Sequence, residues 1–383
     1  MADGRPLRSA LPTAASIAAV APVSLTWSDV AAGMMLTHGV LRDSTPGGRA
    51  TLERRLLIRA RETWMPQAPG LHLLLMASGC AATTAAGTNA SSHGSVIMAQ
   101  APPWLNLRRG LPKAQWRCFR GRDRLGVSLW RKTNALLTEM LATFPGRHFY
   151  LKIDSDTLIL PESLLGFLTA IRAVHSRRQP LYFGSNRISQ KRFFCSGPRC
   201  LFGSHQWRAL DARMNMINRS GAGRGMPSET STCVAGSEAS YAQGGAYGFD
   251  RLALKLLVRD DCVDRVAAVV ADRMPPGQGL FEDEAVGLCM HSRRVRLVTC
   301  ACFYDWGPCD INRPATCAAD TPSSRLCHLP LSVHKLRQVS WYDGWWNLLS
   351  SREPTALAAL RTWQSEALPH LVAVAHRIPR ETL

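Results

Sequence analysis

Short apolar runs bounded by turn residues alternate, through the first half of the chain, with segments whose apolar positions recur every three or four residues. Met34 to Leu41, Leu71 to Ala77 and Leu181 to Gly184 read as strands. Thr51 to Trp64 reads as a helix, with Thr51 as N-cap and Glu53 in the first turn. Ser128 to Phe144 puts Leu129, Ala135, Leu136, Met140 and Leu141 on or near one helical face, and Pro145-Gly146 stops it. Pro161-Glu162-Ser163 opens a third helix. Further on, Tyr247 to Arg259, Asp261 to Met274 and Phe281 to His291 read as helices, and Arg294 to Ala301 as a late strand. Residues 78–115, rich in Gly, Ser, Thr, Ala and Pro, read as a long loop or insertion, and 190–235 as irregular. Alternation of strand and helix up to residue 185 predicts an α/β sheet in place of an all-α or all-β fold.

One strand differs from the rest. His148 to Leu160 is apolar but carries Asp154 and Asp156 at its carboxyl end. Residues two apart on a strand project to one side, so the two carboxylates face a common site while Ser155 points away. Ligands of open α/β sheets sit just beyond strand carboxyl ends, where an acidic pair can hold a divalent cation and its phosphates. The spacing is weak evidence by itself, since 17 aspartates in 383 residues supply about one D-x-D by chance. Two later features add to it. Tyr241 to Gly248 reads as a glycine-rich turn whose Gly244 and Gly245 allow close backbone approach to a ligand. Glu282-Asp283-Glu284 opens a helix, which suits either favourable helix-end charge or a general base.

Composition narrows the classes. A 46% hydrophobic, 19% charged chain is globular. The formal charge of +18 suits polyanions, anionic membranes or phosphorylated substrates, yet only six of 46 basic residues are lysine and the arginines form no long run. No nucleic-acid partner is expected. Ten of twelve cysteines follow residue 190 without a C-x-x-C pair, which suits disulfides of an oxidising lumen over a zinc ribbon. At the amino terminus, Arg5 and Arg8 precede an apolar run from Ala10 to Trp27 broken by Pro12 and Pro22. It fits a signal sequence, a weak membrane anchor or a transit peptide.

The order of these features resembles glycosyltransferase family 31, the β-1,3-glycosyltransferases that include fringe and the core 1 galactosyltransferases. Arg54-Arg55 through Arg61-Glu62-Thr63-Trp64 is similar to the family's R…R-x-T-W helix, and Leu71 to Leu75 to its next strand. Tyr150 to Thr157 resembles F-L-K-x-D-D-D-T, Gln243 to Tyr247 resembles S-G-G-A/G-Y, and Glu282 to Gly287 resembles E-D-V-x-x-G. The resemblance spans residues 50 to 340. It implies a GT-A fold with a Rossmann-like mixed sheet flanked by helices, in one large domain over 31–349 between a lead-in at 1–30 and a helical tail at 350–383. It also implies Mn²⁺ at Asp156, with Asp154 assisting at the metal or the uridine, and a late histidine ligand, His334 or else His328. Gly244, Gly245 and Arg61 would lie toward a UDP-sugar donor, with Asp283 as catalytic base and a glycan or glycoprotein as acceptor in the Golgi or ER lumen.

Three departures from the family stand out: Ser155 in place of the middle acid, no counterpart for 78–115, and cysteine-rich loops over 300–330. Trp341 to Trp346 suits either stacking on a sugar or packing of the last helix. The competing expectation is a non-catalytic basic protein that binds polyanions, or a scaffold of the same fold.

Overall fold

The computed structural model describes residues 24–38, 40, 49–78, 96–98, 113–120, 129–175, 179–188, 233–235, 240–271, 280–293, 295, 297–300, 302–304 and 330–363. Strand β1 (Val30–His38) leads through helix α1 (Arg49–Glu62) to β2 (His72–Ser78), which pairs with β1 in parallel. Strands β3 (Val96–Met98) and β4 (Lys113–Phe119) extend that side of the sheet. Helix α2 (Leu129–Thr143) then carries the chain back to β5 (Phe149–Asp154), parallel to β1 on its other side. Beyond it come β6 (Leu158–Ile159), α3 (Pro161–Val174), β7 (Tyr182–Ile188), β8 (Cys233–Ala235) and the long β9 (Ser240–Asp250). Helices α4 (Arg251–Val258), α5 (Cys262–Ala271) and α6 (Glu282–Ser292) precede β10 (Leu297–Cys300), β11 (Phe303–Tyr304), β12 (Ser332–Val333), α7 (Val339–Ser350) and α8 (Ala356–Thr362). Among the described residues these make a nine-stranded mixed sheet, ordered β3-β4-β2-β1-β5-β9-β7-β10-β8, and a small sheet β11-β12-β6.

Both faces of the large sheet are covered, and the strands show it residue by residue. In β2, Leu73, Leu75 and Ala77 enter the core on one face while Leu74 and Met76 enter the core on the other. A parallel strand buried on two faces reads as such a continuous apolar run. The first face packs against α1, α3, α7 and α8, the second against α2, α4, α5 and α6. The fold is therefore α/β, with helices on both sides of a mixed sheet in one domain, as the alternating pattern predicts.

Several boundaries differ from the sequence reading. Leu25, Trp27 and Val30 are already core residues, upstream of residue 31. Helix α1 begins at Arg49, two residues before Thr51, which moves Glu53 into the second turn. The segment 78–115 contributes β3 and the start of β4 to the sheet edge. The glycine-rich Tyr241–Gly248 is strand, not a turn, and the helix after it starts at Arg251 with the Asp250 side chain accepting from the Ala253 amide at 2.7 Å. Tyr247 and Phe249, two apart, both bury their rings on one face, a period-two pattern that outweighs the turn propensity of glycine. The lead-in before residue 24, the 305–329 stretch with His328, and residues 364–383 lie outside the described residues.

Two helix starts are tied to each other across the second half of the chain. Glu353 accepts the Ser163 amide of α3 at 3.0 Å, and Glu162 accepts the Ala356 amide of α8 at 2.7 Å. Each carboxylate thus satisfies an amide that its partner helix leaves open. Burial lifts the Glu353 carboxyl from an ordinary 4.5 to about 7, partly opposed by its backbone hydrogen bonds. A raised acid pKa means the folded chain holds this proton more tightly than the unfolded one. The stabilisation is complete below the unfolded value and is lost as pH rises through about 7. Melting temperatures followed from about pH 5 to about pH 8 are expected to fall less steeply in Glu353→Gln than in the wild type. Superimposable profiles would refute the assignment.

Candidate metal centre

The strand order reverses at one place that matters. From β1 the chain adds β2 and β4 on one side, then returns to place β5 on the other. Such a reversal leaves a crevice beyond the strand carboxyl ends, where open α/β sheets bind ligands. Asp154 is the last residue of β5 and pairs with Met35 near the end of β1, so the acidic segment lies at that reversal.

The third ligand arrives from far downstream by strand pairing. After Asp154 the chain turns, with the Thr157 amide bonded to the Asp154 carbonyl at 3.1 Å, and enters β6. There β12 pairs antiparallel, Ser332 opposite Ile159 and Val333 opposite Leu158. One residue further, His334 meets the acidic turn, and the Leu336 amide bonds to the Asp156 carbonyl at 3.1 Å. His334 Nε2 stands 3.1 Å from Asp156 Oδ1 and 3.4 Å from Asp154 Oδ2. One ligand atom from each of Asp154, Asp156 and His334 lies within 4.8 Å of the others. Two carboxylates and an imidazole are a donor set for a divalent ion such as Mn²⁺. The two aspartates keep 24% and 29% of their side-chain surface open while the histidine is buried, so the cluster has a closed back and an open front. The residues fit a metal.

A buried cation holds the first ligand. Lys152 lies two residues before Asp154 on the same side of β5 and is fully buried. Its ammonium donates to Asp154 Oδ1 at 2.6 Å, to the Gly244 carbonyl, and to Glu282 Oε1 at 3.2 Å. Burial alone would lower the lysine pKa, but Asp154 and Glu282 beside it raise it above the ordinary value. Burial alone would likewise raise Asp154, yet Lys152 and then His334 bring its carboxyl down to about 2. One oxygen of Asp154 is therefore committed to the lysine, and Oδ2 lies 3.4 Å from His334 Nε2.

Gly244 and Gly245 admit neighbouring side chains. Opposite β7 the register slips between Gly184, paired with Tyr247, and Asn186, paired with Ala242. Strand β9 bulges there, a device often found beside active sites. A Cβ on Gly245 would lie 2.3 Å from the His334 ring, and one on Gly244 would lie 2.9 Å from Glu282 Oε1. The glycines are required so that site side chains can pack on the strand. The Gly244 amide donates to Asp283 Oδ2 at 3.1 Å, and Thr157 Oγ1 donates to the Gly245 carbonyl at 2.9 Å. Consecutive residues of β9 thus contact the Asp283 carboxylate and the His334 ring.

Asp283 sits in the first turn of α6, with Oδ1 accepting the Glu284 amide at 2.9 Å. Burial, then the neighbouring Glu282 and Glu284, push its carboxyl well above the ordinary range against the pull of Lys152. A carboxylate so destabilised is a stronger proton acceptor. Cys262 of α5 is disulfide-bonded to Cys289 of α6, which anchors the helix that carries it.

Arg61 lies 3.9 Å from Glu62 and about 12 Å further along α1 than Glu53, the helix residue that reaches the acidic turn. The Trp341–Trp346 segment packs: Tyr342 and Trp345 are buried, and Tyr342 Oη is 3.0 Å from Thr63 Oγ1. Lys152 is marked in the sequence as the one basic residue of β5, whereas nothing local marks Glu53. Among the described residues no helix is long and apolar enough to cross a membrane. No protein-family model and no curated protein matches the chain.

Proposed function

We propose that this chain is a Mn²⁺-dependent inverting β-1,3-glycosyltransferase of GT-A type. It moves galactose, or another hexose or N-acetylhexosamine, from a UDP-sugar to a glycan hydroxyl. The observation that carries the reading is the Asp154-Asp156-His334 cluster at the β1/β5 reversal, one strand residue from a carboxylate poised to accept a proton. Manganese held there would neutralise the diphosphate of the leaving nucleotide. Asp283 takes the proton of the acceptor hydroxyl as that oxygen forms its bond to the anomeric carbon. The carbon–phosphate oxygen bond breaks on the opposite side, UDP leaves with the electron pair, and the α-linked donor becomes a β-linked product. The Gly244 amide and the Lys152 ammonium fix the base and the metal ligand to the same stretch of β9. The Cys262–Cys289 disulfide suits the oxidising lumen of the ER or Golgi, where such acceptors are built.

A panel of UDP-sugars with Mn²⁺ and glycan acceptors, read as released UDP, tests the reading. Asp283→Asn is expected to cut turnover by roughly 10²- to 10⁴-fold while leaving Mn²⁺ affinity unchanged. Absence of UDP release from every common donor, or full turnover in that variant, would overturn it.

A further inference from the structure

Ser155 stands between the two aspartates and turns its side chain away from them. Its hydroxyl donates to Glu53 Oε1, a carboxylate on α1 that is only 5% exposed. The other oxygen, Oε2, accepts from the Thr37 amide at 2.8 Å and from the Thr37 hydroxyl. Thr37 belongs to the end of β1, the strand that pairs with β5 on the far side of the reversal. The Glu53 carboxylate therefore bridges the end of β1 and the acidic turn after β5. The buried Lys132 ammonium, which bonds to the Leu36 carbonyl, supplies positive charge nearby. A buried carboxylate is expensive unless its acceptor positions are filled, and here both oxygens are. Burial raises the Glu53 carboxyl above its ordinary range against these hydrogen bonds and Lys132, and helix packing alone would be served as well by an apolar residue, so a carboxyl at this spot calls for a use.

We propose that Glu53 is a positioning residue of the metal centre: through Ser155 it sets the backbone between Asp154 and Asp156, and so the separation of their ligand oxygens. The inference rests on the metal-centre reading. It also accounts for the serine. A hydroxyl can donate to Glu53, whereas an ionised carboxylate at 155 would meet it as a like charge. Partners that orient metal ligands from behind commonly weigh about 10- to 100-fold in metal affinity when removed.

The test uses the full chain and Mn²⁺ alone, with binding read from the free-ion electron paramagnetic resonance signal and folding from thermal melts. Ser155→Ala is expected to weaken Mn²⁺ binding by about tenfold or more, Glu53→Gln by less because its amide nitrogen can donate to the Ser155 oxygen, and the double variant by no more than Ser155→Ala alone. Ser155→Asp is expected to bind worse than Ser155→Ala. Adding Glu53→Gln to it restores binding, because the amide nitrogen can donate to the new carboxylate while its oxygen still accepts from Thr37. Ser155→Ala deletes one hydroxyl and leaves the core intact, so loss of folding does not mask the result. Wild-type affinity in Ser155→Ala and Ser155→Asp, with Mn²⁺ bound by the wild type, would overturn the positioning role alone. A wild-type chain that binds no Mn²⁺ would overturn the metal reading and this inference with it.

Discussion

Asp156→Ala is expected to remove Mn²⁺ binding and, with it, UDP release, without unfolding the protein. Asp156 is 29% exposed, and its side chain meets His334 at 3.1 Å, so the fold loses little when the carboxylate goes. Exposed positions outside core or capping networks usually change stability by no more than about 0.5 kcal/mol. The metal centre loses one of its two charged ligands. Since residues that merely orient a ligand are worth about 10- to 100-fold in affinity, removal of the ligand itself should cost at least about a hundredfold. Melting supplies a readout that needs no substrate. Mn²⁺ at about one hundred times its dissociation constant should stabilise the wild type by about 2.7 kcal/mol and leave Asp156→Ala unmoved. An equal rise in both proteins would sink the assignment of this carboxylate as a ligand.

Lys152→Met is expected to be the most damaging single change to stability. The ammonium is fully buried among Asp154, Glu282 and the Gly244 carbonyl, and it lies 5.3 Å from the centroid of the Tyr247 ring. Methionine matches the stem but leaves two carboxylates facing each other with Asp283 close behind. Removing one partner of a buried ion pair typically costs about 3–5 kcal/mol, because the uncompensated charge stays inside. Denaturant unfolding should therefore show a large fall in midpoint. Adding Glu282→Gln should recover part of the loss, since it removes one of the stranded charges. A Lys152→Met chain as stable as the wild type, or a double variant worse than the single, would show that the cluster is not held by this cation.

The sequence exposed what is periodic and local. The two-faced burial of β2 appears as the unbroken run Leu73 to Ala77, and the boundaries of α2 and α3 follow from their apolar spacing and from Pro145 and Pro161. Asp154 and Asp156 were visible as a pair, and His334 only through the resemblance, because its approach depends on the β6–β12 pairing. Glycine propensity hid β9, since Gly244 and Gly245 are there to admit the His334 ring and Glu282 and not to turn the chain. Glu53 was readable only as a helix-end charge. Its bonds to Thr37 and Ser155 join residues distant in sequence, and no spacing rule carries that information.

That pairing of β12 with β6 has a consequence for the order of events in the life of the chain. Every described strand of the large sheet precedes residue 301, so these strands can pair before the segment bearing His334 has been synthesised. The Asp154-Asp156-His334 cluster is then among the last features to form. A chain trimmed ahead of Leu331 would retain every described strand of the large sheet and both aspartates, but would lose His334 together with α7 and α8, which cover one face of that sheet. On the function proposed above, an emerging polypeptide would be kept from capturing manganese until the segment bearing His334 had paired with β6.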